Sequence, residues 1–140
     1  DDYMQLCAFS ELNMHFVNSH FMHPDDLLDK DRGAALGWEK LRARLDEYMT
    51  WMNESAPSLR NLTGSELAGA VQRYGALTVD KEITDQEIRI HLGNFYDEAY
   101  LMVRINDGTP GQVTGGELTN VTGNLYLLHA QESEVVIERN

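Results

Sequence analysis

The spacing of hydrophobic residues changes near residue 75. Before it, apolar residues recur every three or four positions, as on one face of an amphipathic helix. After it, apolar and polar residues alternate, as in half-buried strands. In the first part the pattern predicts a short helix over residues 3–12, a strand over Met14–Met22 and a long helix over Trp38–Glu54.

The region after the long helix predicts one more strand and one more helix. Pro57 marks the end of the long helix, and Leu59–Leu62 is predicted as a short edge strand. The sequence Thr63-Gly64-Ser65-Glu66 matches a capping box, in which the hydroxyl and the carboxylate each satisfy a backbone N–H at the start of a helix. Gly75 is predicted to end that helix.

The last third of the chain predicts a small antiparallel sandwich or sheet. Turn clusters rich in glycine and asparagine separate four alternating runs, namely Glu87–Leu92, Tyr100–Ile105, Asn124–Leu128 and Glu134–Glu138. Helices followed by strands are typical of the α+β class. A domain boundary near residue 76 gives domains over 1–76 and 77–140.

Composition and charge limit the classes of partner. The chain has 140 residues, of which 42% are hydrophobic and 24% charged, as in an ordinary globular protein. Its formal net charge is −12, which argues against nucleic acid and against anionic membrane surfaces. No apolar run approaches the roughly 20 residues that span a bilayer. An acidic surface is compatible with a neutral sugar, a cationic amino sugar or no ligand.

The cysteine content and the first residues bear on disulfides and on processing of the chain. A single cysteine, Cys7, excludes an intrachain disulfide. The chain opens with Asp1-Asp2 and has no signal peptide, which predicts an excised fragment or a processed product.

One segment of the chain is rich in side chains that can act in catalysis or bind a metal. Residues 13–31 contain three histidines and four aspartates, namely His15, His20, His23, Asp25, Asp26, Asp29 and Asp31. Residues at the end of a strand, on the loop that leaves it, often form active sites in α/β folds. Each feature also has a structural interpretation: a core histidine, a proline turn capped by an aspartate, or a solvated acidic loop. A three-histidine metal site would require the strand and the loop to fold back.

The order of elements around this segment resembles the C-terminal end of NodB-type polysaccharide deacetylases, which have a distorted (β/α) barrel. In that family a late strand carries a histidine, a helix follows, and a last strand leads into a Thr-x-x-Glu/Asp helix, here Thr63–Glu66. The resemblance implies that residues 1–76 are partial barrel elements and that His20 is the general acid, with His23 as the second choice. It also implies that Asp25 and Asp26 shape the substrate loop.

The same resemblance implies a metal, a substrate and a location for the parent protein. The family's Asp-Asp pair and His-x-x-x-His metal motif are absent from this chain, so a divalent metal, zinc by preference, is expected in the parent protein and not in this chain alone. The fragment would then be inactive in isolation, and its substrate would be a polysaccharide or amino sugar. An extracellular or cell-envelope location is expected, with a partner chain or self-association covering an exposed apolar face.

Two alternatives remain open. His23-Pro24-Asp25-Asp26 resembles the motif of the LmbE-like zinc deacetylases, in which the histidine and the second aspartate bind zinc and the first aspartate is the base. That family also needs a later His-x-x-His, which this chain lacks. The other alternative is a non-catalytic carbohydrate-binding or interaction module, in which Tyr96 and Tyr100 stack on sugar rings.

Overall fold

The computed structural model describes residues 2–15, 17–19 and 23–140, with the side chains of 13–15 and 24 outside that description. The described residues form three α-helices and two antiparallel sheets, which confirms the α+β class. They divide into two compact units, Asp1–Met52 (unit 1) and Asn53–Asn140 (unit 2). This division lies 24 residues before the predicted boundary near residue 76.

Unit 1 is helical wherever it has regular structure in the described residues. Helix α1 spans Asp2–His15, a 3₁₀ helix spans Pro24–Leu27, and helix α2 begins in this unit and spans Gly37–Ser55. Both predicted helices are confirmed. The predicted strand over Met14–Met22 is wrong in its described part, because positions 14 and 15 complete α1 and residues 17–19 have no regular structure. A strand needs a neighbour to satisfy its backbone groups, and the described residues of unit 1 offer none.

Unit 1 leaves several large apolar side chains exposed. Ala8 and Met52 are its buried hydrophobic residues among those described. On α1 three large side chains are 63–73% exposed, namely Tyr3, Leu6 and Phe9. Apolar positions are therefore available to solvent on this helix.

Unit 2 begins with an irregular segment and a capped helix. The predicted edge strand over Leu59–Leu62 is wrong, since this segment pairs with no strand and opens with a turn in which Leu59 N donates to Ala56 O. Helix α3 spans Gly64–Ala76, and its predicted capping box is confirmed. The Thr63 backbone N donates to Glu66 Oε2 at 2.7 Å, and Glu66 N donates to Thr63 Oγ1 at 3.4 Å.

Seven strands follow α3. They are β1 Thr78–Ile83, β2 Glu87–Gly93, β3 Ala99–Arg104, β4 Pro110–Thr114, β5 Gly116–Thr122, β6 Leu125–Ala130 and β7 Glu134–Arg139. One sheet has the order β1-β2-β7-β4 and the other the order β3-β6-β5, with all pairs antiparallel. The four predicted strands correspond to β2, β3, β6 and β7, and the sequence pattern missed the other three.

The two sheets share one hydrophobic core, which makes unit 2 a β-sandwich. In β2 the buried residues alternate with exposed ones, and two of them, Ile88 and Ile90, pair with Ile137 and Val135 of β7. Leu128 of β6 belongs to the same buried cluster and is fully buried. Burial of these aliphatic side chains is the main stabilising contribution in this unit.

A glycine makes the passage between the sheets possible. Gly115 lies between β4 of one sheet and β5 of the other, with a φ of +80°. A Cβ at this position would meet the backbone carbonyl oxygen of Glu134. Only glycine combines this conformation with so close an approach.

Candidate functional site

The predicted catalytic loop lies on the surface of unit 1. His23 precedes the 3₁₀ helix, and its side chain is 50% exposed, with Nδ1 3.8 Å from Asp25 Oδ1. His20 lies outside the described residues, and so does the side chain of His15. The structure therefore describes His23, Asp25 and Asp26 from the predicted site and leaves the role of His20 a prediction.

Asp26 is fixed by an arginine. Arg32 Nη1 donates to Asp26 Oδ1 at 2.7 Å, and Arg32 Nε lies 3.5 Å from Asp29 Oδ2. The hydrogen bond from Arg32 lowers the pKa of the Asp26 carboxyl below its ordinary value, so Asp26 is an anion near neutral pH. His23, Asp26 and Arg32 line one open depression of about 440 Å³.

One side chain that the LmbE-like motif assigns to zinc already has a hydrogen-bond partner. Within the described ranges, histidines, cysteines and carboxylates form no group of three or more arranged to hold a metal. Asp26, which the LmbE-like interpretation makes a zinc ligand, already accepts a hydrogen bond from Arg32. That interpretation would require Asp26 to exchange a guanidinium for a metal.

A second polar cluster lies in unit 2 and is centred on Glu98. Arg73 Nη2 donates to Glu98 Oε1 at 3.0 Å, and Arg60 Nη1 lies 3.9 Å from the same oxygen. His129 Nε2 lies 3.0 Å from Glu98 Oε2 and donates to it when that nitrogen carries its proton. The side chains of these four residues are only 24–33% exposed. One carboxylate thus connects α3, the segment before it and strand β6.

Tyr100 completes this cluster through strand register. Tyr100 of β3 pairs directly with His129 of β6, and their rings stack with centroids 4.4 Å apart and an interplanar angle of 4°. The guanidinium carbon of Arg60 lies 3.8 Å from the centroid of the Tyr100 ring, a cation–π distance. Because two groups already lie against this ring, the sugar-stacking role predicted for Tyr100 would require one of them to move.

A concave pocket opens beside the cluster. It has a volume of about 80 Å³ and is lined by α3, the segment before it, the β2–β3 connection and the start of β3. The lining includes two tyrosines that are largely exposed, Tyr74 at 84% and Tyr96 at 75%. Asn94 also lines it, in a left-handed conformation with a φ of +56°, and donates from Nδ2 to the Ala76 carbonyl at the end of α3. This bond helps to fix the pocket wall, since the last carbonyls of a helix lack intrahelical partners.

The sequence prediction found two residues of this pocket and missed the others. Tyr96 and Tyr100 were named as sugar-stacking candidates, and both line it. Arg60 was assigned to an edge strand, and Arg73, Glu98 and His129 received no role. In the sequence these four are ionisable side chains of ordinary types, and they become informative only after the β3–β6 pairing is known.

None of the helices in the described part of the chain has the length and apolar content that a bilayer crossing requires. No curated protein and no solved structure matches the chain. A family model described as an uncharacterised protein conserved in bacteria, DUF2194, matches residues 1–127. The chain therefore belongs to the DUF2194 family.

Proposed function

We propose that unit 2 is a saccharide-binding module whose site is the pocket beside Glu98. The observation that carries this proposal is the convergence of two exposed tyrosine rings, Tyr74 and Tyr96, with two guanidinium groups on one concave surface. The apolar C–H face of a pyranose packs on an aromatic ring, while its hydroxyls need polar partners with fixed directions. Arg60 and Arg73 supply such donors.

The composition of the pocket favours binding over hydrolysis of a glycosidic bond. Most glycoside hydrolases need two carboxyl groups, one on each side of the scissile bond. Among the described residues that line the pocket, Glu98 is the one carboxylate. It is also engaged by Arg73 and His129, which favours a role in holding the pocket walls.

Titration calorimetry against a panel of oligosaccharides tests this function. Tyr96→Ala removes an exposed ring from the pocket, and we expect an affinity loss of about tenfold, equivalent to about 1.4 kcal/mol. Tyr3→Ala is the matched control, because Tyr3 is 73% exposed and lies on α1. Equal affinity of both variants and the wild type would contradict the pocket as the site. Failure of the wild type to bind any saccharide would contradict the function itself.

Deacetylation by the natural protein that contains this chain is a second candidate. It is favoured by the depression that His23 lines together with an Asp26 carboxylate fixed by Arg32. A general acid is needed to protonate the departing amine, and a loop histidine can supply it. In this proposal His20 is the acid and His23 the second choice, Asp25 and Asp26 shape the substrate loop, and the metal ligands lie outside this chain.

Acetate release from an N-acetylglucosamine oligosaccharide tests the second candidate in the full natural protein. His20→Ala should lower the rate at least about 100-fold, the usual contribution of a general acid. His91→Ala is the control, because His91 lies in β2 of the sandwich. Full activity of the His20→Ala protein would exclude His20 as the acid, and His23→Ala would then test the other histidine.

A further inference from the structure

The pocket of unit 2 concentrates positive charge in an acidic environment. Unit 2 has thirteen acidic and six basic side chains, so most of its surface repels anions. Two of the six basic residues, Arg60 and Arg73, line the same pocket. Glu98 neutralises one of these two charges, which leaves the described lining with an excess of one positive charge.

The two guanidinium groups keep donors for a ligand. A guanidinium carries five N–H donors. Among the described residues, the hydrogen bond of the Arg73 side chain is the one to Glu98 Oε1, at 3.0 Å. Arg60 makes no hydrogen bond with any described residue, and its polar neighbour is the same oxygen at 3.9 Å. The Arg60 guanidinium stacks on the Tyr100 ring at 3.8 Å, and this contact holds the guanidinium plane in place without using its N–H donors.

We infer that the saccharide bound in this pocket is an acidic one, in which Arg60 and Arg73 recognise the carboxylate of a uronic acid residue. This inference rests on the saccharide-binding function proposed above and names its ligand class. Charge-assisted hydrogen bonds from an arginine fork to a carboxylate are short, strong and bidentate. The sugar ring packs on Tyr96 or Tyr74, which remain open to solvent at the same pocket. The excess positive charge favours such a ligand over a neutral sugar.

Calorimetry with a galacturonic acid trisaccharide and with its methyl ester tests the inference. The two ligands share the same rings and differ in the charge of the carboxyl groups. We expect the whole chain to bind the acid at least tenfold more tightly than the ester. Arg60→Gln should remove this preference, whereas Arg60→Lys, which keeps the charge and loses the fork, should retain part of it. Arg89→Gln is the matched control, since Arg89 pairs with Glu87 in β2 and does not line the pocket.

The possible results distinguish a failure of the acidic-ligand inference from a failure of the saccharide-binding function. Equal wild-type affinity for the acid and the ester would overturn the acidic-ligand inference and leave saccharide binding in place. Binding of neither ligand, nor of any neutral oligosaccharide, would overturn the proposed function as well. A preference for the acid that survives both Arg60→Gln and Arg73→Gln would refute the arginine assignment. Displacement of the trisaccharide by an equal concentration of inorganic phosphate would reduce the site to a general anion site and would also overturn the inference. Circular dichroism of each variant checks that the sandwich is folded.

Discussion

Replacement of Glu98 tests whether its cluster joins the parts of unit 2. The carboxylate accepts from Arg73 through Oε1 and faces His129 Nε2 through Oε2, each at 3.0 Å. Glu98→Gln keeps the size of the side chain and removes its charge, so both partners lose a charge-assisted hydrogen bond. The amide oxygen still accepts from Arg73, but the amide NH₂ then faces His129 Nε2, which can accept from it only when the imidazole proton is on Nδ1.

The expected destabilisation is about 1–2 kcal/mol in the free energy of unfolding of unit 2, since the amide oxygen keeps one hydrogen bond in a weaker, uncharged form. A hydrogen bond to a charged group contributes about 1.5–3 kcal/mol. The Glu98 side chain is 29% exposed, so solvent screens part of each interaction, and about 1 kcal/mol remains for each of the two bonds. A loss of this size is a large fraction of the roughly 5–15 kcal/mol by which domains are stable.

Urea unfolding followed by far-ultraviolet circular dichroism measures this loss. Glu117→Gln is the control, because Glu117 pairs with His129 from the other side in β5 and makes only a 3.5 Å contact with Gln131. It should cost less than about 0.5 kcal/mol. A double-mutant cycle of Glu98→Gln with Arg73→Gln should give a coupling energy of about 1 kcal/mol. If Glu98→Gln costs no more than Glu117→Gln, the cluster does not hold the unit together and the reasoning is refuted.

Three further predictions concern the helix cap, the core and one turn. Thr63→Ala should cost about 1 kcal/mol in urea unfolding, since it removes the N-cap. Hydrogen bonds from the backbone and side chain of Thr63 lower the pKa of Glu66 below its ordinary value of 4.5. The ionised Glu66 carboxylate therefore stabilises the fold fully above pH 4.5, and this contribution is lost as the pH falls through the lowered pKa of the folded state. The stability difference between wild type and Glu66→Gln should therefore shrink on acidification, and a constant difference would contradict this cap. Leu128→Ala should cost about 3 kcal/mol, because Leu128 is fully buried, and a loss below about 1 kcal/mol would contradict the sandwich core. Gly115→Ala should cost more than about 2 kcal/mol, because the new methyl would meet a β7 carbonyl, whereas Gly123→Ala, with a φ of +54° and nothing within 4 Å, should cost about 1 kcal/mol.

Local patterns predicted the helices well. The capping box from Thr63 to Glu66 spans four residues, and both of its hydrogen bonds form within that span. The long helix α2 follows from apolar residues on one face and ends at Ser55, just before Pro57. Such features depend on neighbours in sequence, so no knowledge of tertiary contacts is needed.

The strands that the pattern missed all lie at sheet edges. Strands β1 and β4 are the two edges of the four-stranded sheet, and β5 is one edge of the three-stranded sheet. Every residue of β1 is exposed, so its sequence TVDKEI carries little apolar alternation. An edge strand is held largely by backbone hydrogen bonds to one neighbour, and these leave no mark in the side-chain pattern.

The site could be predicted only in part, because strand register creates it. Tyr100 and His129 are 29 positions apart and become neighbours because β3 pairs with β6 rather than with β4. Arg60 then covers the same tyrosine ring from a segment with no regular structure. An aromatic residue in a strand is visible in sequence as a candidate, but the arginine and imidazole beside it are not.

The position of the boundary between the units follows from the same contacts. Residues 53–76 were predicted to belong with the N-terminal elements, yet they form part of unit 2. Arg60 and Arg73 both approach Glu98, and Asn94 donates to the carbonyl of Ala76 at the end of α3. The pocket therefore has one wall from before residue 77 and one from after it, so strands β1–β7 alone would retain the hydrophobic core and lose Tyr74 and both arginines. Helix α3 is thus part of the binding surface that we assign to unit 2, and a division at residue 76 would separate the two walls of the pocket.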